Sequence, residues 1–436
     1  MYYYSTTSRT GKADIVTAVL KGLADDGGLF MPSEIPTLPP TFIRSLSERS
    51  FPEIALEIAT SFFSPAIPQD TLKNIIDDAI NFDAPLQKIH DNIYTLELFH
   101  GPTLAFKDFG ARVMARVMSY FLRQRSEKKL TILVATSGDT GSAVANGFLN
   151  VPNINVIILY PSGKVSQIQE LQLTTMGNNI TALEVAGTFD DCQRLVKTAF
   201  SDLELRKKMQ LASANSINIA RLIPQIFYYF QGYKQLEDKT LPLVVAIPSG
   251  NFGNLTAALM AKRMGLPISR LIAATNINDV VPKYLENGVF TPRPSHTTIS
   301  NAMDVGNPSN FARMLCLCND DLDTMRAEIW GASVTDEETR TTISEVARNY
   351  AYITDPHGAV GYTALLRYLK LQKTDQIGIF LETAHPAKFS SIVEDVLKRE
   401  IEIPNRLASF LKKEKHSIKV SADYGALKDL LLSTRQ

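Results

Sequence analysis

Cysteine is scarce. Only Cys192, Cys316 and Cys318 occur in 436 residues, an odd number with one Cys-x-Cys pair, which excludes a disulfide framework and a four-cysteine zinc site. They read as buried thiols in a reducing compartment. Net charge is also missing: 45 Lys plus Arg balance 45 Asp plus Glu. No overall field therefore draws nucleic acid or an anionic membrane, and any anion must be gripped locally. No apolar run approaches the roughly 20 residues of a membrane span. The opening residues, Met1 to Arg9, lack the basic, apolar and small-residue succession of a signal peptide. A cytoplasmic protein is expected. No Gly-x-Gly-x-x-Gly follows an apolar run, and no glycine-rich loop carries a Walker lysine. His90, His296, His357 and His416 share no metal-ligand spacing, so no metal is expected.

What is present is enough apolar sequence for a large core: 45% hydrophobic against 21% charged residues, in a chain long enough for two or three domains. Residues 1–93 form a first, mainly helical unit. Tyr2 to Thr6 reads as a strand, Asp14 to Leu23, Phe51 to Phe63 and Leu72 to Ile80 repeat apolar residues at helical spacing, and prolines at 32, 36, 39 and 40 mark a loop. This unit is expected to pack and to supply no chemistry.

From Ile93 onward short apolar runs alternate with helix-length amphipathic segments, the signature of parallel sheets covered by helices. The runs are Ile132 to Ala135, Val156 to Tyr160, Ile180 to Val185, Leu243 to Ile247, Leu271 to Ala274 and Ile377 to Leu381. The helical candidates between them are Phe109 to Leu122, Gly141 to Asn150, Phe189 to Ala199, Ile219 to Leu236 and Leu255 to Met264. The fold class is α/β, with two α/β domains over residues 94–220 and 221–436. In such sheets ligands sit where a strand turns into a helix.

Two of those turns can face an anion. After Thr131 to Thr136 comes Ser137-Gly138-Asp139-Thr140-Gly141, small residues whose N–H groups suit a carboxylate or phosphate. Taken alone, it is equally a plain turn with Ser137 or Asp139 as helix cap. After Leu243 to Ser249 comes Gly250-Asn251-Phe252-Gly253-Asn254, a better phosphate cradle. A third feature is Lys107, set among apolar and aromatic neighbours at a helix start. The helix dipole and desolvation would both lower its pKa, as a nucleophilic amine requires, although a lone lysine in such a place is more often solvated surface.

A reactive lysine, a phosphate cradle and a second anion-binding turn together make the inventory of a pyridoxal-phosphate site. Pro102-Thr-Leu-Ala-Phe-Lys107-Asp resembles the lysine motif of the fold type II, or β-family, pyridoxal-phosphate enzymes. Leu96-Glu-Leu-Phe-His-Gly-Pro-Thr-Leu-Ala-Phe-Lys-Asp-Phe109, Ala-Thr-Ser-Gly-Asp-Thr-Gly, Asn-Ser-Ile-Asn-Ile-Ala-Arg, Pro-Ser-Gly-Asn-Phe-Gly-Asn and Thr-Ala-His-Pro-Ala-Lys-Phe resemble the threonine synthase family specifically. Val19-Leu-Lys-Gly-Leu-Ala-Asp-Asp-Gly-Gly-Leu-Phe-Met-Pro32 does so too, and the matches keep the family's order over nearly the whole chain.

The resemblance implies a cofactor, pyridoxal 5'-phosphate, held as a Schiff base by Lys107, which would also move protons at the substrate carbons. Gly250, Asn251, Phe252, Gly253 and Asn254 would bind the cofactor phosphate and Thr383 the pyridine nitrogen. Ser137, Gly138 and Thr140 would hold the substrate carboxylate; Asn215, Ser216 and Arg221 would hold the substrate phosphate. Asp139 would stand near the ring hydroxyl, sharing a proton with it. The implied reaction takes O-phospho-L-homoserine and water to L-threonine and phosphate, in a monomer that touches neither nucleic acid nor membrane. His100 and His385 are expected to pack or orient, and Lys388 is left unassigned. Three rivals remain: a serine or threonine dehydratase, which would not need Arg221 with Asn215; a phospholyase giving 2-oxobutyrate; and a binding protein, which would have lost Lys107.

Overall fold

The computed structural model describes residues 1–125 and 129–433. Thirteen strands among these form three sheets. β1 (Tyr3–Ser5) and β2 (Phe30–Pro32) pair antiparallel. A six-stranded sheet has the order β11-β10-β9-β12-β4-β3, where β3 is Leu86–His90, β4 Ile93–Glu97, β9 Leu243–Pro248, β10 Ile268–Thr275, β11 Ile329–Ser333 and β12 Ile377–Glu382. Only β3 runs antiparallel in it. A five-stranded parallel sheet has the order β13-β7-β6-β5-β8, with β5 Leu130–Ala135, β6 Ile154–Pro161, β7 Ile180–Ala186, β8 Gln210–Ser213 and β13 Ile418–Ser421. Every residue of β5, β9 and β12 is buried, as expected of strands with helices on both faces.

Sheet membership crosses the boundaries drawn at 93 and 220. β3 and β4 join the sheet of the C-terminal half. β13, near the end of the chain, closes one edge of the other sheet by pairing with β7. The chain thus passes three times between the two α/β units, after β4, after β8 and after β12. The segment Ile219 to Leu236, expected as one helix, is broken into Ile219–Leu222, a 3-10 turn Ile223–Ile226 and Phe227–Lys234, because Pro224 has no N–H to continue the ladder.

The site depends on how these ends meet. The helix Lys107–Arg125 starts on the lysine itself. Its entry is hung from the end of β12: the Phe106 N–H donates to the Thr383 carbonyl at 2.8 Å, and Ala105 bridges to Ala384. Gly110 on that helix lets the backbone of Arg221 come close, since a Cβ there would lie 2.8 Å from the Arg221 carbonyl oxygen.

Candidate active site

The carboxyl ends of β5, β9 and β12 open on one cavity of about 560 Å³. Lys107, Ser137, Asp139, Thr140, Asn215, Ser216, Arg221, Gly250, Asn251, Phe252, Gly253, Asn254 and Thr383 all line it. Gly138 alone of the candidate residues does not; it caps the helix Asp139–Phe148 at φ 143°, where a Cβ would strike the Gln169 side chain at 2.6 Å. Neither Ser137 nor Asp139 is the cap, which corrects that alternative. The turn is held instead by Thr136, whose hydroxyl oxygen accepts from the N–H groups of Gly138 (3.0 Å) and Gly141 (2.9 Å).

Lys107 lies half-buried over the ring of Phe106, its Nζ 4.3 Å from the ring centroid. Burial and the nearby Arg221 guanidinium push its amine down to about 8, against a partial opposing pull from Asp139. The lowered basicity expected from the sequence is therefore present, and for the reason given there.

The loop after β9 is a receptor with donors to spare. Phe252 adopts a left-handed conformation at φ 58° immediately before the helix Gly253–Arg263; a non-glycine residue held there is strain of the kind found at ligand clamps. The first N–H groups of that helix have no intrahelical acceptor. Asn254 adds a directed donor. Its Oδ1 accepts from the hydroxyls of Tyr228 (2.7 Å) and Tyr229 (2.5 Å), while its buried Nδ2 has no partner. Across the cavity Arg221 is 3% exposed; one nitrogen donates to the Ala214 carbonyl at 2.6 Å, and its buried Nε and the Oδ1 of Asn215 are unpaired. An unsatisfied buried donor such as the Asn254 amide nitrogen is costly unless a ligand meets it. A free amine of lowered pKa beside such a cradle fits pyridoxal phosphate.

Asp139 does not fit the expectation of a proton shared with a ring hydroxyl. Its Oδ1 is 2.7 Å from the ammonium of Lys388, which is fully buried and also donates to the Thr103 carbonyl at 2.9 Å. Gln169 donates to the same Oδ1 at 2.8 Å. Burial pushes the Asp139 carboxyl up, but Lys388 and Gln169 outweigh it and hold it below the usual range. Asp139 is thus paired with a buried lysine, and Lys388, unassigned above, is its partner.

Other participants were invisible in the motifs. The first 93 residues do more than pack: Thr6, Thr7, Leu23, Gly27, Gly28 and Leu29 form part of the cavity wall. Gly28 is confined, since a Cβ would lie 2.0 Å from the Ser5 hydroxyl. Arg313, fully buried, ties this unit to the site by donating to the carbonyls of Phe30, Ser216 and Ile217. His357 and the segment Asn301 to Asp304 also line the cavity. His100 and His385 lie outside the lining; His100 pairs with Glu97 at 2.7 Å, and His385 accepts from the Ala387 N–H at 3.1 Å.

Three family models cover the chain: Threonine synthase N terminus over residues 2–80, Pyridoxal-phosphate dependent enzyme over 81–381, and Threonine synthase, C-terminal over 358–431. Threonine synthase from Haemophilus influenzae is 45% identical over 418 residues, covering 96% of each chain. The crystal structure of threonine synthase from Escherichia coli superposes with a TM-score of 0.93 at 42% identity over 100% of both chains. That of PLP-bound threonine synthase from Brucella melitensis also gives 0.93, at 35% identity and the same coverage. By these three family models and a likeness that runs along nearly its whole length, this chain belongs to the threonine synthase family.

Proposed function

We propose that the cavity converts O-phospho-L-homoserine and water to L-threonine and phosphate, with Lys107 as the residue that holds pyridoxal phosphate and moves protons. What supports this reading is one cavity lined by Lys107, whose amine is pushed down to about 8, by the loop after β9, and by Arg221 with Asn215 and Ser216. A dehydratase of serine or threonine needs the first receptor but not the second.

When bound, pyridoxal phosphate supplies an electron sink for negative charge at the substrate carbons. The protein groups do the rest. The N–H groups opening the helix at Gly253 and the Asn254 amide hold the cofactor phosphate. The Thr383 hydroxyl would meet the pyridine nitrogen of the cofactor, where a hydroxyl, unlike a carboxylate, would not favour its protonation. Ser137 and Thr140, which line the cavity where Gly138 does not, hold the substrate carboxylate at the other helix start. The Lys107 amine takes a proton from the α carbon and then from the β carbon. Phosphate leaves the γ carbon into the fork of Arg221, with Asn215 and Ser216 beside it. Water then adds at the β carbon, and the protons return to carbon. Until that step the cleft between the two α/β units must exclude water.

The test is an absorbance spectrum of the purified protein before and after O-phospho-L-homoserine, with phosphate and threonine assayed together. Equal amounts of phosphate and threonine are expected, and Lys107→Ala should lower turnover by about 10⁴-fold. Phosphate with 2-oxobutyrate would make it a phospholyase; no cofactor band after adding pyridoxal phosphate would defeat the reading. The same reading takes the enzyme as a cytoplasmic monomer, which sedimentation of the holoenzyme checks.

A further inference from the structure

One buried cluster in the cavity wall has no part in that scheme. Glu382 ends β12, directly before Thr383, and is fully buried. Its Oε2 accepts from the Asp355 N–H at 3.1 Å. Gly358 makes room for the carboxyl, since a Cβ there would lie 1.9 Å from Oε1. Asp355 is equally buried and caps the helix Pro356–Lys370. Its Oδ1 lies 2.5 Å from Nδ1 of His357 and also accepts the His357 N–H at 2.7 Å.

Two atoms of the cluster are without donors: Glu382 Oε1 and Asp355 Oδ2 are both buried and unpaired when each carboxyl is counted as ionised. The two carboxyls lie side by side, since Glu382 Oε2 holds the backbone N–H of Asp355. Two buried carboxyls placed so, each only accepting, repel each other; a proton on one removes the conflict. Glu382 is the group to carry it. Its burial, with Asp355 and Glu97 nearby, pushes its carboxyl well above the usual range, whereas Asp355 already accepts from His357.

His357 then has a defined state. Nδ1–H donates to Asp355, and Nε2 accepts from the Ala302 N–H at 3.2 Å. Both ring nitrogens are engaged, so the imidazole is not free to serve as acid or base. What it holds matters more. Ala302 belongs to the cavity-lining segment that presses on the phosphate loop: a Cβ on Gly250 would lie 2.7 Å from the Ala302 carbonyl oxygen and 3.0 Å from Met303 Cα. The far end of the segment is fixed independently, with Asp304 accepting from Thr298 and Asn276. The end at Ala302 is fixed by His357.

We propose that Glu382, Asp355 and His357 form a positioning array for the cofactor-phosphate loop: Glu382 holds the Asp355 backbone, Asp355 orients the imidazole, and the imidazole anchors Ala302 against Gly250. This rests on the loop after β9 being the phosphate receptor. None of the three is a catalytic residue; they act through the backbone of the 301–304 segment.

The experiment titrates apoenzyme with pyridoxal phosphate and, separately, with pyridoxal, which lacks the phosphate. His357→Phe keeps the ring's bulk and removes both hydrogen bonds. It should weaken pyridoxal phosphate binding about tenfold, the worth of one buried bond lost with its acceptor, and leave pyridoxal binding unchanged. Glu382→Gln, whose amide oxygen can still accept the Asp355 N–H, should bind both as the parent does. Equal weakening of the two ligands in His357→Phe, or no weakening, overturns the proposal. So does a tenfold loss in Glu382→Gln, which decides the matter even if His357→Phe does not fold. A parent apoenzyme that takes up neither ligand would instead defeat the cofactor reading beneath it.

Discussion

The turn after β5 and the loop after β9 occupy the same place in their sheets, each leading from a fully buried parallel strand into a helix that starts at the cavity. They are finished in opposite ways. The loop keeps its donors open: helix N–H groups without acceptors and an Asn254 amide nitrogen with no partner. The turn closes on itself through Thr136 and sets a carboxylate, Asp139, in the first turn of its helix, where the dipole favours negative charge. A lysine from 249 residues further on then cancels that charge. One topological position thus yields a receptor for a strong anion or a neutralised polar wall, according to which side chains return to it.

The largest way to break this contrast is to remove the balancing charge. Lys388→Met should cost about 3–5 kcal/mol in urea unfolding of the apoprotein, since it strands a buried carboxylate. Asp139→Asn with Lys388→Met should recover most of that. A single variant as stable as the parent would show that the pair is not a buried charge balance. The pH dependence has a definite sign. Because the folded Asp139 carboxyl lies below its usual value, its stabilisation is full above the unfolded pKa near about 4. It is lost as pH falls through the folded value, so the parent should lose stability on acidification more steeply than the double variant.

Arg221→Lys tests the second receptor. It keeps the charge and removes the planar fork, and kcat/KM for the phosphorylated substrate should fall by roughly 10- to 100-fold, the worth of one charge-assisted bond. Cofactor affinity should not follow; if it falls in step, the two receptors are not separate. A smaller effect concerns Lys107. With its amine at about 8, uptake of pyridoxal phosphate by apoenzyme should rise with pH through that value, because only the free amine attacks. Arg221→Met should move the midpoint up and Asp139→Asn should move it down. Stopped-flow absorbance across pH reads both directions.

Legibility in the sequence followed locality. Strands β5, β6, β7, β9, β10 and β12 were read from their apolar runs; the inner strand β4, only partly buried, was not, and neither were β3 and β13, most of whose residues reach solvent. The lysine, the phosphate loop and the Thr383 turn each lie in one short stretch, and all three line the cavity. What stayed hidden is made by distance. Lys388 meets Asp139, Arg313 meets Phe30, and Ala302 meets His357 across intervals that no spacing rule spans. Thr6 and Gly28, which flank the strand pair β1–β2, were assigned to packing because the N-terminal unit offered no chemical signature of its own, although the fold sets them in the wall.

The smallest expected effect separates the two turns most directly. Thr136 receives two N–H donors and returns its own hydroxyl hydrogen to the Gly138 carbonyl at 3.1 Å, whereas Ser249, its counterpart at the end of β9, only donates to the Ile247 carbonyl at 2.9 Å. Thr136→Val therefore strands two buried N–H groups and should cost about 2 kcal/mol, while Ser249→Ala removes one donor and should cost about 1 kcal/mol or less. Thr136→Ser, which restores the oxygen, should recover most of the loss. Equal costs for Thr136→Val and Ser249→Ala in urea unfolding would mean that the turn after β5 is no more closed than the loop after β9, and the contrast between them would rest on Asp139 alone.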